Sequence, residues 1–257
     1  MWWYQVKKYS SFLWHSKNQH GVHSPFVFDL LTKGVYRQAP MEVKLQLKAA
    51  RKYFLKQYAK IRVQDFGAGS RVFKDDERGV NRIAKYAGMP YRQQLLMYKL
   101  VAHLKPNNLL ELGTSVGLGT AAMRLGNLDA KLITVERCPE TLKEAIQFFD
   151  NFEWQSIQTE NSLFTDYLKT CSQAFDFIYL DGGHTKDFTL STFEQLLPLT
   201  HNDSVIVFDD IYWSKAMGEA WLAIKEHPAV TVSIDSFHWG IIFFRKQQQK
   251  QHFVLRM

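Results

Sequence analysis

Acids and glycines at the ends of apolar runs are the residues of this sequence whose spacing best suits the binding of a nucleoside. Glu111 ends the run that starts at residue 109. Three glycines follow it before a helical stretch: Gly113, Gly117 and Gly119. Glycine allows a sharp turn and lets a ligand approach the main chain. Glu136 ends the next apolar run, where its carboxylate can accept hydrogen bonds from both hydroxyls of a ribose. These residues predict a nucleoside site where two adjacent parallel strands end.

A second group of acids lies further along the chain. Asp181 ends an apolar run and is followed by Gly-Gly-His184, and the next run ends in Asp209 and Asp210. Carboxylate oxygens are the ligands that Mg²⁺ prefers, and a bound divalent ion can orient a substrate hydroxyl and favour its deprotonation. Asp181, Asp209 and Asp210 are therefore candidate metal ligands.

His184 is the candidate general base, and Asp181 is the second candidate catalytic residue. The alternative is structural: Asp181 and Asp210 would cap helices, and His184 would be a polar residue at the rim. Without an ion, neighbouring carboxylates repel one another, so that one of them acquires a raised pKa or a local hydrogen bond.

Apolar runs of strand length alternate with helical stretches from residue 107 onward, which is the pattern of a parallel sheet. The predicted strands cover 109–112, 132–135, 156–159, 175–180 and 204–208. The predicted helices cover 119–125, 139–149, 163–170, 186–196 and 216–226. Two further β-rich runs, 230–233 and 240–244, predict a closing antiparallel hairpin. The predicted fold class is α/β, with a Rossmann-like, doubly wound, seven-stranded mixed sheet.

Residues 1–106 lack this alternation and predict an N-terminal helical cap that covers the substrate, with amphipathic stretches at 41–60, 78–87 and 91–104. Segment 65–70 (Asp-Phe-Gly-Ala-Gly-Ser) imitates the glycine motif. No acid-ended strand follows it at the right distance, so we interpret it as a loop of the cap. Residues 247–257 predict a polar C-terminal tail.

Composition narrows the class of protein. The 257 residues are 46% hydrophobic and 22% charged, which is the balance of a folded globular chain and excludes a disordered or fibrous one. The two cysteines, Cys138 and Cys171, support neither a disulfide framework nor a structural zinc site, and a reducing cytoplasm is the expected location. No segment has the apolar length of a membrane span.

The net charge of +7 is concentrated near the N-terminus, where residues 1–60 contain 11 Lys or Arg and 2 Asp or Glu. Aromatic residues are interleaved with these charges, a combination that can contact nucleic acid or an anionic membrane surface. Lys44, Lys48, Lys52 and Lys56 recur every four residues, which favours a solvated helix face instead. Nucleic acid is therefore not an expected partner.

At the glycine motif and Glu136 the chain resembles the class I S-adenosylmethionine-dependent methyltransferases, over roughly residues 90–245. The resemblance implies a cofactor-binding methyltransferase domain at 107–246. It also implies that Glu111 and Gly113 flank the methionine part of the cofactor, that Glu136 holds the ribose, and that Asn161 or Ser162 lies near the adenine. The implied cofactor-binding set also includes Ser115, Gly117, Gly119 and Asp181.

Two further resemblances concern the acceptor. A subset of small-molecule O-methyltransferases has a similar Asp-x-x-His turn and a following acidic pair. Segments across the chain also resemble a group of uncharacterised bacterial methyltransferases, especially from Bacteroidetes: 20–28 (His-Gly-Val-His-Ser-Pro-Phe-Val-Phe), 209–214, 220–221 and 240–244. The implied reaction is O-methylation of a small organic acceptor, with Mg²⁺ or another divalent cation as an optional second cofactor. Homo-oligomerisation stays open.

Two functions from other classes remain as alternatives. Segment 113–117 (Gly-Thr-Ser-Val-Gly) matches the G-x-S-x-G elbow of serine hydrolases, with Ser115 as nucleophile. Such an elbow normally follows several strands, whereas this motif follows the first convincing one. The other alternative is a non-catalytic nucleoside- or nucleic-acid-binding protein that uses the basic cap.

Overall fold

An eight-stranded sheet forms the centre of the computed structural model, which describes residues 2–63, 75–154 and 156–257. The strands of the described residues are β1 (Lys60–Arg62), β2 (Glu77–Gly79), β3 (Asn108–Leu112), β4 (Lys131–Glu136), β5 (Ile157–Asn161), β6 (Phe177–Leu180), β7 (Val205–Phe208), β8 (Val232–Asp235), β9 (Gly240–Phe243) and β10 (Gln251–Val254). Their α-helices are α1 (Trp2–His15), α2 (Pro25–Asp29), α3 (Met41–Leu55), α4 (Val80–Tyr86), α5 (Tyr91–Leu104), α6 (Leu118–Gly126), α7 (Pro139–Asn151), α8 (Phe164–Thr170), α9 (Lys186–Leu196) and α10 (Lys215–Glu226). A π-helical turn continues α2, and two short 3₁₀ helices complete the set: Leu30–Val35, Gln19–Gly21 and Leu197–Leu199.

The strand order of the large sheet is β10-β8-β9-β7-β6-β3-β4-β5. Strands β3 to β7 are parallel, and β9 runs antiparallel to both β7 and β8. The chain therefore winds outward from β3 through β4 to β5, returns to β6 on the other side of β3, and closes with a hairpin. The predicted doubly wound α/β fold is confirmed. Ligands of such sheets bind where the winding direction reverses, which is here at the carboxyl ends of β3 and β6.

The sheet has one strand more than the seven predicted, because the segment interpreted as a polar tail contributes β10. Gln251–Val254 pairs in parallel with β8 at the sheet edge. Its apolar run, residues 253–255, is only three residues long and follows a polar stretch, so the segment carries little strand signal. An edge strand needs a backbone partner on one side only, and this one obtains it from β8.

The same segment ties the two ends of the chain together. The Lys17 backbone N–H donates to the carbonyl of Val254 at 2.9 Å, and the Arg256 guanidinium donates to the Ser16 hydroxyl at 2.8 Å. These contacts fix the C-terminal end of α1 against β10.

Alternating residues of the strands bury both faces of the sheet. Leu109, Phe177 and Val205 belong to a core beneath α2, α5 and α6. Leu110 and Ile178 belong to the opposite core, which α8, α9 and α10 cover. Strands buried on both faces read as continuous apolar runs, which is why their positions were predictable.

The N-terminal region is largely helical but also contains a small antiparallel sheet. The helix predicted over 41–60 ends at Leu55, and Lys60–Arg62 pairs instead with Glu77–Gly79. The helix predicted at 78–87 correspondingly starts at Val80. Segment 65–70, interpreted above as a loop, lies outside the described residues. Within the parts of the chain that the structure describes, no helix has both the length and the apolar character needed to cross a membrane.

Candidate active site

Five neighbouring parallel strands end in one row of residues at the carboxyl edge of the sheet. The sheet register pairs Glu136 with Asn161, Leu112 with both Val135 and Leu180, and Leu180 with Phe208. The row one residue further along is Asn161, Glu136, Gly113, Asp181 and Asp209. Backbone hydrogen bonds from Gly113, Asp181 and Asp209 continue the ladder into this row. The register thus brings together residues from the ends of five separate strands.

A cavity of about 250 Å³ lies over the centre of this row. Four of the predicted cofactor-binding residues line it: Gly113, Ser115, Glu136 and Asp181. Sequence reasoning missed the walls that come from the small sheet, α4, the start of α7, α8 and α9: Val63, Arg78, Ile83, Ala87, Arg137, Cys138, Thr141, Leu163, Phe164 and Phe188 among them. Phe164 lies two residues after Ser162, so its position in the chain after β5 was the one available signal.

Glu136 is held by the loops on either side of it. One carboxylate oxygen accepts the backbone N–H of Ser115 at 2.8 Å, and the other accepts the N–H of Cys138 at 2.9 Å. Burial raises the pKa of Glu136, while these N–H groups counteract the shift by favouring the ionised form. The two bonds orient the carboxylate at the cavity wall, where its remaining lone pairs can accept hydroxyl donors.

The turn after β3 requires glycine at two positions. Gly113 has φ +113°, and a Cβ there would collide with the carbonyl oxygen of Asp181 on the neighbouring strand. Gly117 has φ +90°, and a Cβ there would lie 2.6 Å from the Phe149 ring of α7. Only Gly113 faces the cavity, so Gly117 allows close packing of the turn against α7.

Glu111 lies beneath the turn and outside the main cavity. It is completely buried, and one carboxylate oxygen accepts hydrogen bonds from the hydroxyls of Thr120 and Thr134, the latter at 2.6 Å. Its other oxygen, Oε1, is buried without a hydrogen-bond partner within the described structure. A Cβ at Gly119 would lie 2.6 Å from that oxygen, so Gly119 leaves the space beside it open. Burial raises the pKa of Glu111 to about 7.

A small void beside Glu111 shares wall residues with the main cavity. Glu111, Gly113, Ser115 and Asp181 all border this void. The unpartnered Oε1 is therefore close to the region where Gly113 and Asp181 meet.

Asn161 and Ser162 support the site from outside the cavity lining. The Asn161 amide donates to the carbonyls of Glu136 and Arg137, both at 2.9 Å, and the Ser162 hydroxyl donates to the Leu163 carbonyl. The neighbouring Leu163 and Phe164 line the cavity in their place. Asn161 thus fixes the end of β4, including the segment that carries Glu136.

Three half-buried acids and a buried tyrosine lie together beside the cavity. The Tyr179 hydroxyl donates to Asp209 at 3.0 Å, and Asp209 also accepts the backbone N–H of Asp210 at 2.9 Å. The pKa of Asp181 is raised to about 7, mainly by burial and secondly by repulsion from Asp210. The pKa of Asp209 is raised well above its ordinary value, mainly by burial and secondly by repulsion from Asp181 and Asp210. The cluster therefore favours a shared proton or a bound cation.

The metal prediction receives mixed support from this arrangement. Three oxygen donors that repel one another are the chemistry that a hard divalent ion neutralises. Yet no group of three or more His, Cys, Asp or Glu side chains in the described ranges has an arrangement that could hold a metal ion. The side chain of Asp209 is instead engaged by Tyr179.

His184 lies near Asp181, as its place in the chain suggested. Its Nε2 is 3.6 Å from an Asp181 carboxylate oxygen, and its ring lies 5.8 Å from that of Trp213. The backbone of His184 is in the left-handed region with φ +38°, just after Gly183 at φ +77°. This tight turn directs the chain from the end of β6 into α9.

A second cavity, of about 320 Å³, opens beside the acidic cluster. Residues of α1 form one wall, and the segments after β7 and β8 form the other: Trp2, Gln5, Val6, Tyr9, Ser10, Asp210, Tyr212, Trp213, Phe237 and His238. Burial lowers the pKa of His238, which keeps its imidazole neutral near pH 7 and able to accept a proton. Sequence analysis missed this site, because α1 and Phe237 are far apart in the chain and neither belongs to a motif.

The elbow-like Ser115 has surroundings that differ from those of a hydrolase nucleophile. Its backbone has φ +49° and its N–H is bonded to Glu136. Among the described residues its hydroxyl has no hydrogen bond to a histidine, which an activated serine requires.

Comparison with known proteins agrees with this geometry. Residues 110–211, which extend from β3 to just beyond β7, match a family described as "Methyltransferase domain". The matched segment contains the glycine turn, Glu136 and the acidic cluster.

Solved structures show the same fold. An SAH-bound methyltransferase of Podospora anserina is 16% identical, with a TM-score of 0.60 over 81% of this chain and 89% of that one. An O-methyltransferase of Bacillus cereus in complex with SAH is 18% identical, with a TM-score of 0.52 over 81% of this chain and 91% of that one. At these sequence identities the likeness to the two solved structures establishes the fold alone.

Proposed function

We propose that the protein is an S-adenosylmethionine-dependent methyltransferase whose residues 110–211 form the catalytic domain, and that it methylates an oxygen of a small organic acceptor. The observation that carries the proposal is the row in which Glu136, Gly113 and Asp181 border one cavity at the point where the sheet reverses its winding. A nucleoside-containing cofactor fits such a crevice.

The residues around the cavity suit each part of S-adenosylmethionine. Glu136 is oriented to accept the ribose hydroxyls, and Leu163, Phe164 and Phe188 offer apolar contacts for the adenine. The unpartnered Oε1 of Glu111 suits the ammonium group at the methionine end, since that group would supply the missing donor. Because Gly113 has no side chain, the ligand can approach the backbone beside Asp181 closely.

The acceptor site is the second cavity. It adjoins the acidic cluster through Asp210, and Tyr9, Trp213 and Phe237 give it aromatic walls that suit a small organic molecule. The bound cofactor supplies a sulfonium methyl group that is already activated for displacement. The protein has to align the acceptor oxygen with that methyl group and remove its proton.

His184 is the proposed base, and its Nε2 lies 3.6 Å from an Asp181 carboxylate oxygen. His238 is a second candidate for the same role, because it lines the acceptor cavity as a neutral imidazole. Asp181, Asp209 and Asp210 would hold a divalent cation, and the ion would supply Lewis-acid stabilisation of the acceptor oxygen.

The two cysteines are both free thiols, which supports a reducing location such as the cytoplasm.

Calorimetry with S-adenosylhomocysteine tests the cofactor assignment directly. The protein should bind it with a stoichiometry of about one per chain, and a panel of phenols, alcohols and carboxylic acids should then reveal an acceptor by transfer of a labelled methyl group. Absence of binding by a folded protein would contradict the proposal. A Ser115→Ala variant that retains methyl transfer would separate this function from a serine hydrolase.

A further inference from the structure

Helix α1 presents an apolar face that the described part of the chain leaves uncovered. Trp3 and Trp14 are 75% and 86% exposed, and Val6 and Leu13 are exposed beside them. Their spacing places all four on one side of the helix. Large exposed apolar patches of this kind mark interaction surfaces.

The opposite side of α1 already packs on the protein. The Phe12 ring lies 5.7 Å from that of Phe237, and the Lys8 ammonium lies 5.2 Å from the centre of the Tyr212 ring. Tyr4 packs against Gly218, where a Cβ would collide with the tyrosine hydroxyl. The helix is therefore docked by one face, and the tryptophans point away from that docking.

The uncovered face carries positive charge and no negative charge. Lys7 is exposed four residues after Trp3 and seven before Trp14, and α1 contains no acid. Within α1 the basic side chains Lys7 and Lys8 are accompanied by no Asp or Glu.

We propose that this face of α1 docks on the surface of an anionic lipid bilayer. Tryptophan prefers the boundary between headgroups and acyl chains, and aliphatic side chains such as Val6 and Leu13 gain from contact with hydrocarbon. Basic residues at the edge of the helix are attracted by anionic headgroups. The helix would lie in the plane of the membrane.

Two other occupants fit the charge and shape less well. A symmetric homodimer through this face would bring the same patch together twice, so that the positive charge of Lys7 would face the same charge of its copy. A nucleic acid would complement the charge and stack on the tryptophans, but it offers nothing to Val6 and Leu13. Both are outcomes that the test below distinguishes.

The docking has a consequence for the acceptor that rests on the proposed function. Val6 belongs to the docking face and also lines the acceptor cavity together with Trp2 and Tyr9. The mouth of that cavity would consequently lie at the lipid surface. The acceptor class would then be an amphiphilic compound that partitions into the membrane.

Flotation of the full chain with vesicles tests the proposal. The protein should float with vesicles of phosphatidylcholine and phosphatidylglycerol, should stay behind with phosphatidylcholine alone, and should be released by high salt. The Trp3→Ser/Trp14→Ser variant should lose on the order of tenfold or more in vesicle affinity. A matched control is Tyr58→Ser/Tyr86→Ser, which removes two exposed aromatic side chains elsewhere and should bind vesicles like the parent.

The remaining measurements decide between occupants. Failure of the parent protein to float with anionic vesicles, or full retention by the double tryptophan variant, would overturn the proposal. The proposal would also be overturned by a dimer, seen in light scattering, that the double variant converts to a monomer. Binding of an oligonucleotide that anionic vesicles do not displace would overturn it as well. Affinity for S-adenosylhomocysteine should be equal in parent and double variant. If the parent fails to bind that ligand yet floats, the enzymatic proposal fails and the membrane proposal stands.

Discussion

The Ser115 backbone N–H donates to the Glu136 carboxylate at 2.8 Å, which joins the glycine turn after one strand to the acid that ends the next. The bond links the two sequence features that most strongly suggested a nucleoside site. A carboxylate held in this way meets its ligand in a fixed orientation, so that less conformational freedom is lost on binding.

Replacing Glu136 by Ala should weaken S-adenosylhomocysteine binding by about 1.5–3 kcal/mol, because charge-assisted hydrogen bonds to the ribose would be lost. Calorimetry measures the change. Asp150→Ala, which removes an exposed acid of α7, is the control and should bind normally. Thermal unfolding of the Glu136→Ala protein checks that loss of the bonds to Ser115 and Cys138 leaves it folded. Unaltered affinity in that folded variant would remove the ribose assignment.

A side chain at position 113 should affect folding as well as binding. The sequence alone suggests that Gly113→Val folds and merely excludes the ligand. The structure adds that a Cβ would first meet the Asp181 backbone carbonyl, which cannot move without disturbing β6. Gly113→Ala should therefore cost at least about 2 kcal/mol of unfolding free energy, measured by denaturant titration.

Gly79→Ala is the matched glycine control. Its added Cβ meets the Oδ1 end of the Asn81 side chain at 2.8 Å, which can rotate away, and no other described atom closer than 3.8 Å. A Gly113→Ala protein as stable as the Gly79→Ala protein would show that the turn is less constrained than its geometry indicates.

Glu111 should make stability fall as the pH rises through the weakly acidic range. Its pKa in the folded protein is about 7 against an ordinary 4.5, so the folded state binds more protons than the unfolded state between these values. The unfolding free energy then decreases with pH, by up to about 1.4 kcal/mol per pH unit for one group. Above about pH 7 the group's contribution is fully lost.

Glu111→Gln should reduce that slope, because the amide cannot ionise. We expect the variant to be more stable than the parent by about 1–3 kcal/mol at pH 8 and to differ little at pH 5. Asp181 also has a folded pKa of about 7, so part of the slope should remain. Equal slopes in parent and variant, from denaturant titrations across the range, would exclude Glu111 as their source.

A divalent cation at the acidic cluster should raise thermal stability. If Asp181, Asp209 and Asp210 bind Mg²⁺ or Mn²⁺, the unfolding midpoint should rise with metal concentration, and EDTA should reverse the rise. Asp209→Asn should abolish the response while keeping an oxygen that can accept from Tyr179. A midpoint indifferent to both ions and to EDTA would leave the shared proton as the state of the cluster.

The two histidines can be distinguished by their variants. His184→Ala should slow methyl transfer by roughly 10²–10⁴-fold while leaving affinity for S-adenosylhomocysteine unchanged, because His184 does not line the cofactor cavity. The measurement is turnover of the acceptor found in the screen. If His238→Ala shows that loss instead, the base is the histidine of the acceptor cavity.

The sequence predicted the position of a site residue correctly where that residue stands at the end of a buried strand. Glu136, Asp181 and Asp209 could be placed because continuous apolar runs mark buried parallel strands, and register then aligns their final residues. The edge strand β10 lacked such a run. The sheet formed by β1 and β2 was hidden because each strand has three residues, and two of the three in Lys60–Arg62 are basic.

The walls of both cavities depend on packing that no local pattern encodes. Phe188 reaches the cofactor cavity from α9, and Tyr9 of α1 meets Phe237 with ring centres 4.8 Å apart. Glu111 illustrates the reverse case. Its position in the motif was predictable, but the threonine hydroxyls that bury and bind it come from α6 and β4.

The bond between Arg256 and Ser16 joins residues 240 positions apart, and it makes the two cavities depend on different parts of the chain. The residues that line the cofactor cavity extend no further than Phe188. The acceptor cavity is lined by α1, whose C-terminal end is held by residues 254 and 256 in addition to the packing of its inner face. Loss of the last strand should therefore loosen the acceptor pocket more than the donor pocket.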